Sequence, residues 1–157
     1  MPRESTTSCT CKSCISACKR IPGLFHPVEA LAAIRAGMAR DLMVVWVDNE
    51  ARSAKLRRQW RVIMPLSAPS LAIRKDPAFD PHRRRETWEA NGRCVFLNVD
   101  DRCEIHDSGY KPIECRAAML CASDDEKVDR KHASAKAAWN TPVGRFVVNL
   151  WRGEIDR

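Results

Sequence analysis

"RCVFLNVDDRCEIHDSGYKPIECRAAMLC", residues 93–121, carries four of the chain's eight cysteines: Cys94, Cys103, Cys115 and Cys121. The other four, Cys9, Cys11, Cys14 and Cys18, lie close together near the N-terminus, and no cysteine stands between Lys19 and Arg93. Within the quoted stretch, "CVFL" has the apolar run of a short strand, "NVDDR" the composition of a turn, and "CEIHD" that of a returning arm. The expectation is a small hairpin with a cysteine on each arm. A Gly/Pro turn at "GYKP" then leads into a short helix at "IECRAAM".

The first island has tight spacing. Two residues separate Cys11 from Cys14, and three separate Cys14 from Cys18. Such spacings let several sulfurs converge on one ion without backbone strain, and thiolate is the form that ligates. Folding the two islands together would gather their sulfurs at one place and tie the N-terminal arm to the body of the protein. "MPRESTTSCTCKSC" lacks the apolar stretch of a secretory signal, so a cytoplasmic location is expected. In that reducing compartment, clustered thiols point to metal or redox chemistry more than to structural disulfides. A redox C-x-x-C pair belongs in a βαβ setting, and no such pattern is visible. Burial as a small apolar residue is an adequate account of Cys9 or Cys121, but a poor one of all eight.

With 157 residues, the chain is expected to form one domain over 1–157, its residues 1–8 polar and loose. Hydrophobic content of 45% and charged content of 30% fit a globular protein rather than a disordered one. No apolar run approaches the ~20 residues that cross a bilayer, so no membrane partner is expected. A formal net charge of +7 permits attraction to nucleic acid or another polyanion and specifies neither.

Between the islands, Pro27, Glu29 and the stop signal Gly37 frame a helix over 27–36 with Val28, Leu31, Ala32 and Ile34 on its apolar face. A short helix or turn is expected around 38–43. "VVWVD" at 44–48 reads as a strand or a buried helix end; periodicity does not decide. Residues 49–61 carry five arginines and lysines, as a basic helix or a loop. Prolines at 65, 69, 77 and 81 predict an irregular, extended connector. After the second island, 123–139 reads as a helix with acids at its start and bases later. A last helix begins with Thr141 as cap and Pro142 at its first position, and stops at Gly153. Val143, Phe146, Val147, Leu150 and Trp151 form the stripe expected to face the core. The fold class is therefore mainly α with a small β-hairpin and irregular loops, in one domain organised around a cysteine-rich metal site.

The motif "CVFLNVDDRCEIHDSGYKPIECR" resembles the signature of the cysteine-cluster family of zinc- or iron-chelating domain proteins, the YkgJ type. That signature has a cysteine, an apolar "FL", an acidic turn, "RC", an "I-aromatic-acid" step, then "RP" and "CR". Upstream, the tight cysteine group followed by "PVEALAAIRAG" matches more loosely. The resemblance covers roughly 9–37 and 93–121. The chain departs from the pattern in three places: Cys18 is followed by Lys19 rather than a second cysteine, the "RP" is Lys111-Pro112, and His106 takes the aromatic position. The resemblance implies that Cys11, Cys14, Cys18, Cys94, Cys103 and Cys115 are metal ligands, with Cys9 and Cys121 as extras that complete a second site. Six to eight thiolates exceed the need of one tetrahedral zinc, so two ions or a small cluster would fit. The implied cofactor is zinc or iron, an iron–sulfur cluster included, because soft sulfur ligands suit these and not magnesium or calcium.

His106 is a ligand or a filler of the aromatic slot. His26 is a weaker ligand candidate, and His82 and His132 read as solvent-facing. Arg116 is placed to offset thiolate charge, or lies on the surface. Asp100, Asp101 and Glu104 read as turn and hairpin-surface acids. "HRRR" at 82–85 with Trp88, and "KLRRQWR" at 55–61, interleave bases and aromatics as nucleic-acid-binding patches do, though a solvated charged face is the commoner meaning. The chain shows no P-loop, dinucleotide fingerprint, G-x-S-x-G or H-E-x-x-H motif. The function expected is metal binding through thiolates from 9–18 and 94–121. A metal-dependent methyl-transfer or redox enzyme, and a basic nucleic-acid-binding module with a structural metal, are the alternatives.

Overall fold

The computed structural model describes residues 12–80, 89–112, 115 and 125–157. Expectations for residues 1–8, for the short helix after Pro112, for His82, "HRRR", Trp88 and Arg116, and for the start of the helix at 123 lie outside the described residues. Among those described, five α-helices and a two-stranded antiparallel sheet make the fold mainly α with a small hairpin. In chain order these are α1 (Lys12–Arg20), α2 (Pro27–Arg35), a 3-10 turn (Ala39–Asp41), β1 (Leu42–Asp48), β2 (Gln59–Pro65), α3 (Ala68–Lys75), α4 (Asp125–Ala138) and α5 (Pro142–Ile155).

Helix α2 begins at Pro27, as its sequence predicts, but its cap is His26. Val28 N donates to His26 Nδ1 (3.3 Å), and His26 N donates to Glu29 Oε2 (3.0 Å), which closes a capping box. It ends in a Schellman motif: Gly37 N donates to Ile34 O and Met38 N to Ala33 O. Gly37 adopts a φ of +86°, which a side chain would oppose. The buried face is Pro27, Glu29, Ala30, Ala33 and Ile34. The expected face is corrected there, since Val28 and Ala32 are exposed. Small alanines lie inward because α2 packs close against its neighbours, and counting only bulky residues misplaces such a face.

"VVWVD" belongs to a strand. β1 pairs with β2 in the register Leu42↔Pro65 to Asp48↔Gln59. The basic stretch 49–61 is thus a turn at 49–58 followed by the start of β2, not a helix. Its periodicity is obscured because the sheet is buried on both faces at one end only. Leu42, Met43 and Val44 face the core together with Val62 and Ile63, whereas Trp46 and Gln59 protrude. The proline-rich connector is also corrected. It holds α3, whose first turn accommodates Pro69 because the amides there have no intrahelical acceptor.

The core gathers both strands, α2, α5 and the ends of their connections. Two indoles pin it. Trp139 Nε1 donates to Phe25 O (2.6 Å), and Trp151 Nε1 donates to Ala39 O (2.9 Å). Thr141 caps α5 through Oγ1, which accepts from Gly144 N (3.2 Å). The helix then runs through Gly153 to Ile155, so Gly153 is no stop. Its buried stripe is Gly144, Val147, Val148, Trp151 and Ile155. Val143 and Phe146, expected inside, are each 57% exposed.

The Trp139 bond joins the start of α2 to the end of α4. Trp139→Phe leaves the Phe25 carbonyl without this donor and should lower the unfolding free energy in urea by about 1–3 kcal/mol. Trp46→Phe, on the protruding part of β1, should change it by less than about 0.5 kcal/mol.

Candidate metal centre

Helix α1 presents Cys14 and Cys18 one turn apart, on the same face. Cys18 lies in the last turn, where main-chain carbonyls lack intrahelical partners. Residues 92–94 fill that need. Cys94 N donates to Cys18 O (2.8 Å), and Gly92 N donates to Arg20 O (2.6 Å). The other edge of the same segment bonds the chain that leaves β2. Ala68 N donates to Arg93 O (2.7 Å), and Val95 N donates to Leu66 O (2.8 Å). Residues 92–95 thus form a rung between α1 and the sheet, and the two cysteine islands meet backbone to backbone.

Beyond the rung the chain turns back. Asn98 N donates to Arg102 O, and Glu104 N to Phe96 O. Asn98 Oδ1 accepts from the amides of Asp100 and Arg102, which holds the turn. The hairpin expected here is corrected: the arms share only the isolated bridge Leu97↔Cys103, and neither forms a strand. Cys94 and Cys103 nevertheless stand on opposite arms. Cys115 packs against Gly23, just beyond α1. A Cβ at Gly23 would collide with its Sγ, so glycine is needed for this approach.

All five described cysteines are half-buried, and no disulfide forms among them. Four of the thiols act on one another. Burial raises the Cys18 thiol, and the charges of Cys103 and Cys14 raise it further, while Lys111 and Arg93 pull it down. Burial pushes Cys94 up to about 12, partly offset by the amides of Phe96 and Leu97; Cys18 and Cys103 add to the rise. Cys103 is raised chiefly by burial and lowered by Lys111 and by the Ile105 amide. Cys14, Cys18, Cys94 and Cys103 therefore share one electrostatic neighbourhood, with Lys111 and Arg93 as its cations. Among the described residues, however, no three His, Cys, Asp or Glu side chains are grouped closely enough to hold a metal ion. Cys9, Cys11 and Cys121 lie outside the described residues.

Several roles were not visible from the sequence. Asp101, expected to be a turn acid, accepts from Lys19 Nζ (3.1 Å) on α1 and from Arg93 Nη2 (3.1 Å) on the rung. The Lys19 hydrogen bond, with help from Arg93, holds its carboxyl below the usual range. Its φ of +59° marks the tight turn that aims it there. Lys111, at the basic position of the "KP" step, supplies the compensating charge considered for Arg116. Its Nζ lies 2.7 Å from His106 Nδ1. An ammonium only donates, so that nitrogen accepts. His26 Nδ1 is engaged at the α2 cap, and His132 is exposed.

No family model, curated protein or solved structure matches this chain.

Two outcomes follow from the thiol electrostatics. Cys94 is raised above its unfolded value of 9.0, so the fold favours its neutral form. Stability should be intact below about pH 9 and should fall as pH rises toward 12, as urea titrations over that range would show. Lys111→Gln removes a cation that favours the thiolates of Cys18 and Cys103. Iodoacetamide should then alkylate both cysteines more slowly at pH 8 in metal-free protein, read by peptide mass spectrometry. Unchanged rates would mean that Lys111 does not act on these thiols.

Proposed function

We propose that this protein binds zinc or iron through cysteine thiolates drawn from both islands, and that the ion locks the N-terminal helix onto the body. The observation that carries the reading is the bond from Cys94 N to Cys18 O, which stitches together two cysteines 76 positions apart in the chain. Cys14, Cys18, Cys94 and Cys103, whose charges act on one another, are the nucleus of the ligand set. Cys11 and Cys115 complete the six that the family resemblance implies.

The donor chemistry fits the group. Thiols are soft ligands, suited to zinc or to an iron–sulfur centre. Four thiolates around a divalent ion leave a net charge of −2, and Lys111 and Arg93 supply two compensating positive charges. Where protein sulfurs fill every position around an ion, none is open to substrate, and the role of that ion is structural. When bound, the ion stabilises thiolates that burial disfavours. The backbone rung and the Asp101 ion pairs orient their helix and loop.

The test is elemental analysis with an absorption spectrum on protein purified without oxygen. About one or more zinc or iron atoms per chain are expected, with colour and acid-labile sulfide if the centre is an iron–sulfur cluster. Cys103→Ser should lower the metal content and destabilise the fold. Zinc added to the metal-free protein at pH 7 should release about one proton per thiol bound, because thiols with raised pKa values start protonated. Protein devoid of both metals that takes up neither would overturn the reading.

A further inference from the structure

The β1–β2 hairpin extends past the core, and its far end gathers cations away from the thiol site, two of which, Arg57 and Arg58, also donate to carbonyls of the turn. Arg52, Lys55, Arg57, Arg58 and Arg61 face a single acid, Glu50, within 49–61, and residues 52–59 are all exposed. The turn is ordered. Asn49 Oδ1 accepts from Arg58 N (3.1 Å), Asn49 Nδ2 donates to Leu56 O (2.9 Å), and Asp48 Oδ1 accepts from Glu50 N (2.9 Å). Lys136 on α4 pairs with Glu50 (3.3 Å). Beside the turn, Trp46 is 42% exposed. Its cross-strand partner Arg61 sets its guanidinium 5.8 Å from the ring centroid.

We propose that this hairpin end is a docking surface for single-stranded nucleic acid, with an unpaired base stacking on the Trp46–Arg61 pair and the backbone phosphates running along the cations of the turn. Charge complementarity argues for a polyanion, since the segment carries five cations against one acid. The indole argues for exposed bases, because every base offers a π-face and duplex bases are already stacked. A lipid surface fits less well. The turn offers one large exposed aliphatic side chain, Leu56, and burying a single leucine stabilises by only about 1.5–3 kcal/mol, too little for anchoring.

Fluorescence anisotropy of a labelled oligothymidylate with the full chain tests this. Binding should weaken as salt rises from about 50 to about 200 mM, with a log–log slope of about −0.7 per phosphate neutralised. Trp46→Ala should weaken binding about tenfold or more at fixed salt, with circular dichroism unchanged. The double variant Arg52→Gln with Lys55→Gln should make the slope shallower by about 1.4 and leave the contribution of Trp46 intact. No binding at low salt would overturn the proposal. So would equal affinity of the Trp46→Ala protein, or binding to phosphatidylserine vesicles in place of the oligonucleotide.

Discussion

The structure depends on how residues 92–95 satisfy two hydrogen-bonding edges at once. A helix ends with carbonyls that have no partner in the helix, and an edge strand ends with groups that have none in the sheet. Gly92 and Cys94 turn their amides to the end of α1, while Arg93 O and Val95 N serve the chain leaving β2. Without this rung, α1 would have no main-chain bond to the rest of the described fold. The same alternation carries Cys94 to Cys18. Architecture and candidate site thus share one cause, which is backbone valence rather than side-chain packing.

Electrostatics at that junction pull in two directions. Burial and mutual repulsion disfavour charge on Cys18, Cys94 and Cys103, while Lys111, Arg93 and nearby amides favour it. A purely apolar role for these cysteines would not need two cations beside them. A purely reactive role would be better served by a lone thiol with a depressed pKa. Several raised thiols with compensating cations suit a neighbourhood poised for a cation to replace protons. Asp101 adds to it by pairing Lys19 with Arg93, although exposed pairs of this kind contribute little singly.

Much of this was legible in the residues, and the failures have physical reasons. Pro27, Gly37, Thr141 and Pro142 announced helix ends because capping is local chemistry, written in adjacent side chains. The backbone of the second island meets α1, but the gathering of sulfurs expected from cysteine spacing is not found among the described residues, where no three metal-ligating side chains are grouped closely enough to hold an ion. The buried faces of α2 and α5 were misjudged because burial follows the approach of neighbouring elements. Val28 and Phe146 are apolar yet exposed, while Ala30 and Gly144 are small and buried. Strand β2 was hidden because its outer half is polar where the hairpin leaves the core. The bridging role of Asp101 needed a positive φ that no spacing rule supplies.

The burial of α1 bears most directly on the proposed role. None of its described residues is fully buried, and none belongs to the hydrophobic core. A nine-residue helix is marginal in water by itself, because the few bonds it forms hardly offset the ordering of its backbone. Its hold on the rest of the described fold includes a pair of main-chain bonds, an exposed ion pair and the half-buried side chains of Cys14, Ile15, Ala17 and Cys18. Apolar burial therefore supplies little of the free energy that keeps it in place. In the proposed role, metal–thiolate bonds would be a source of that free energy that needs no apolar surface, since binding energy at a site absent from the unfolded chain becomes folding energy. This is the physical argument behind the structural ion proposed for a fold whose core, built on β1, β2, α2 and α5, lies elsewhere.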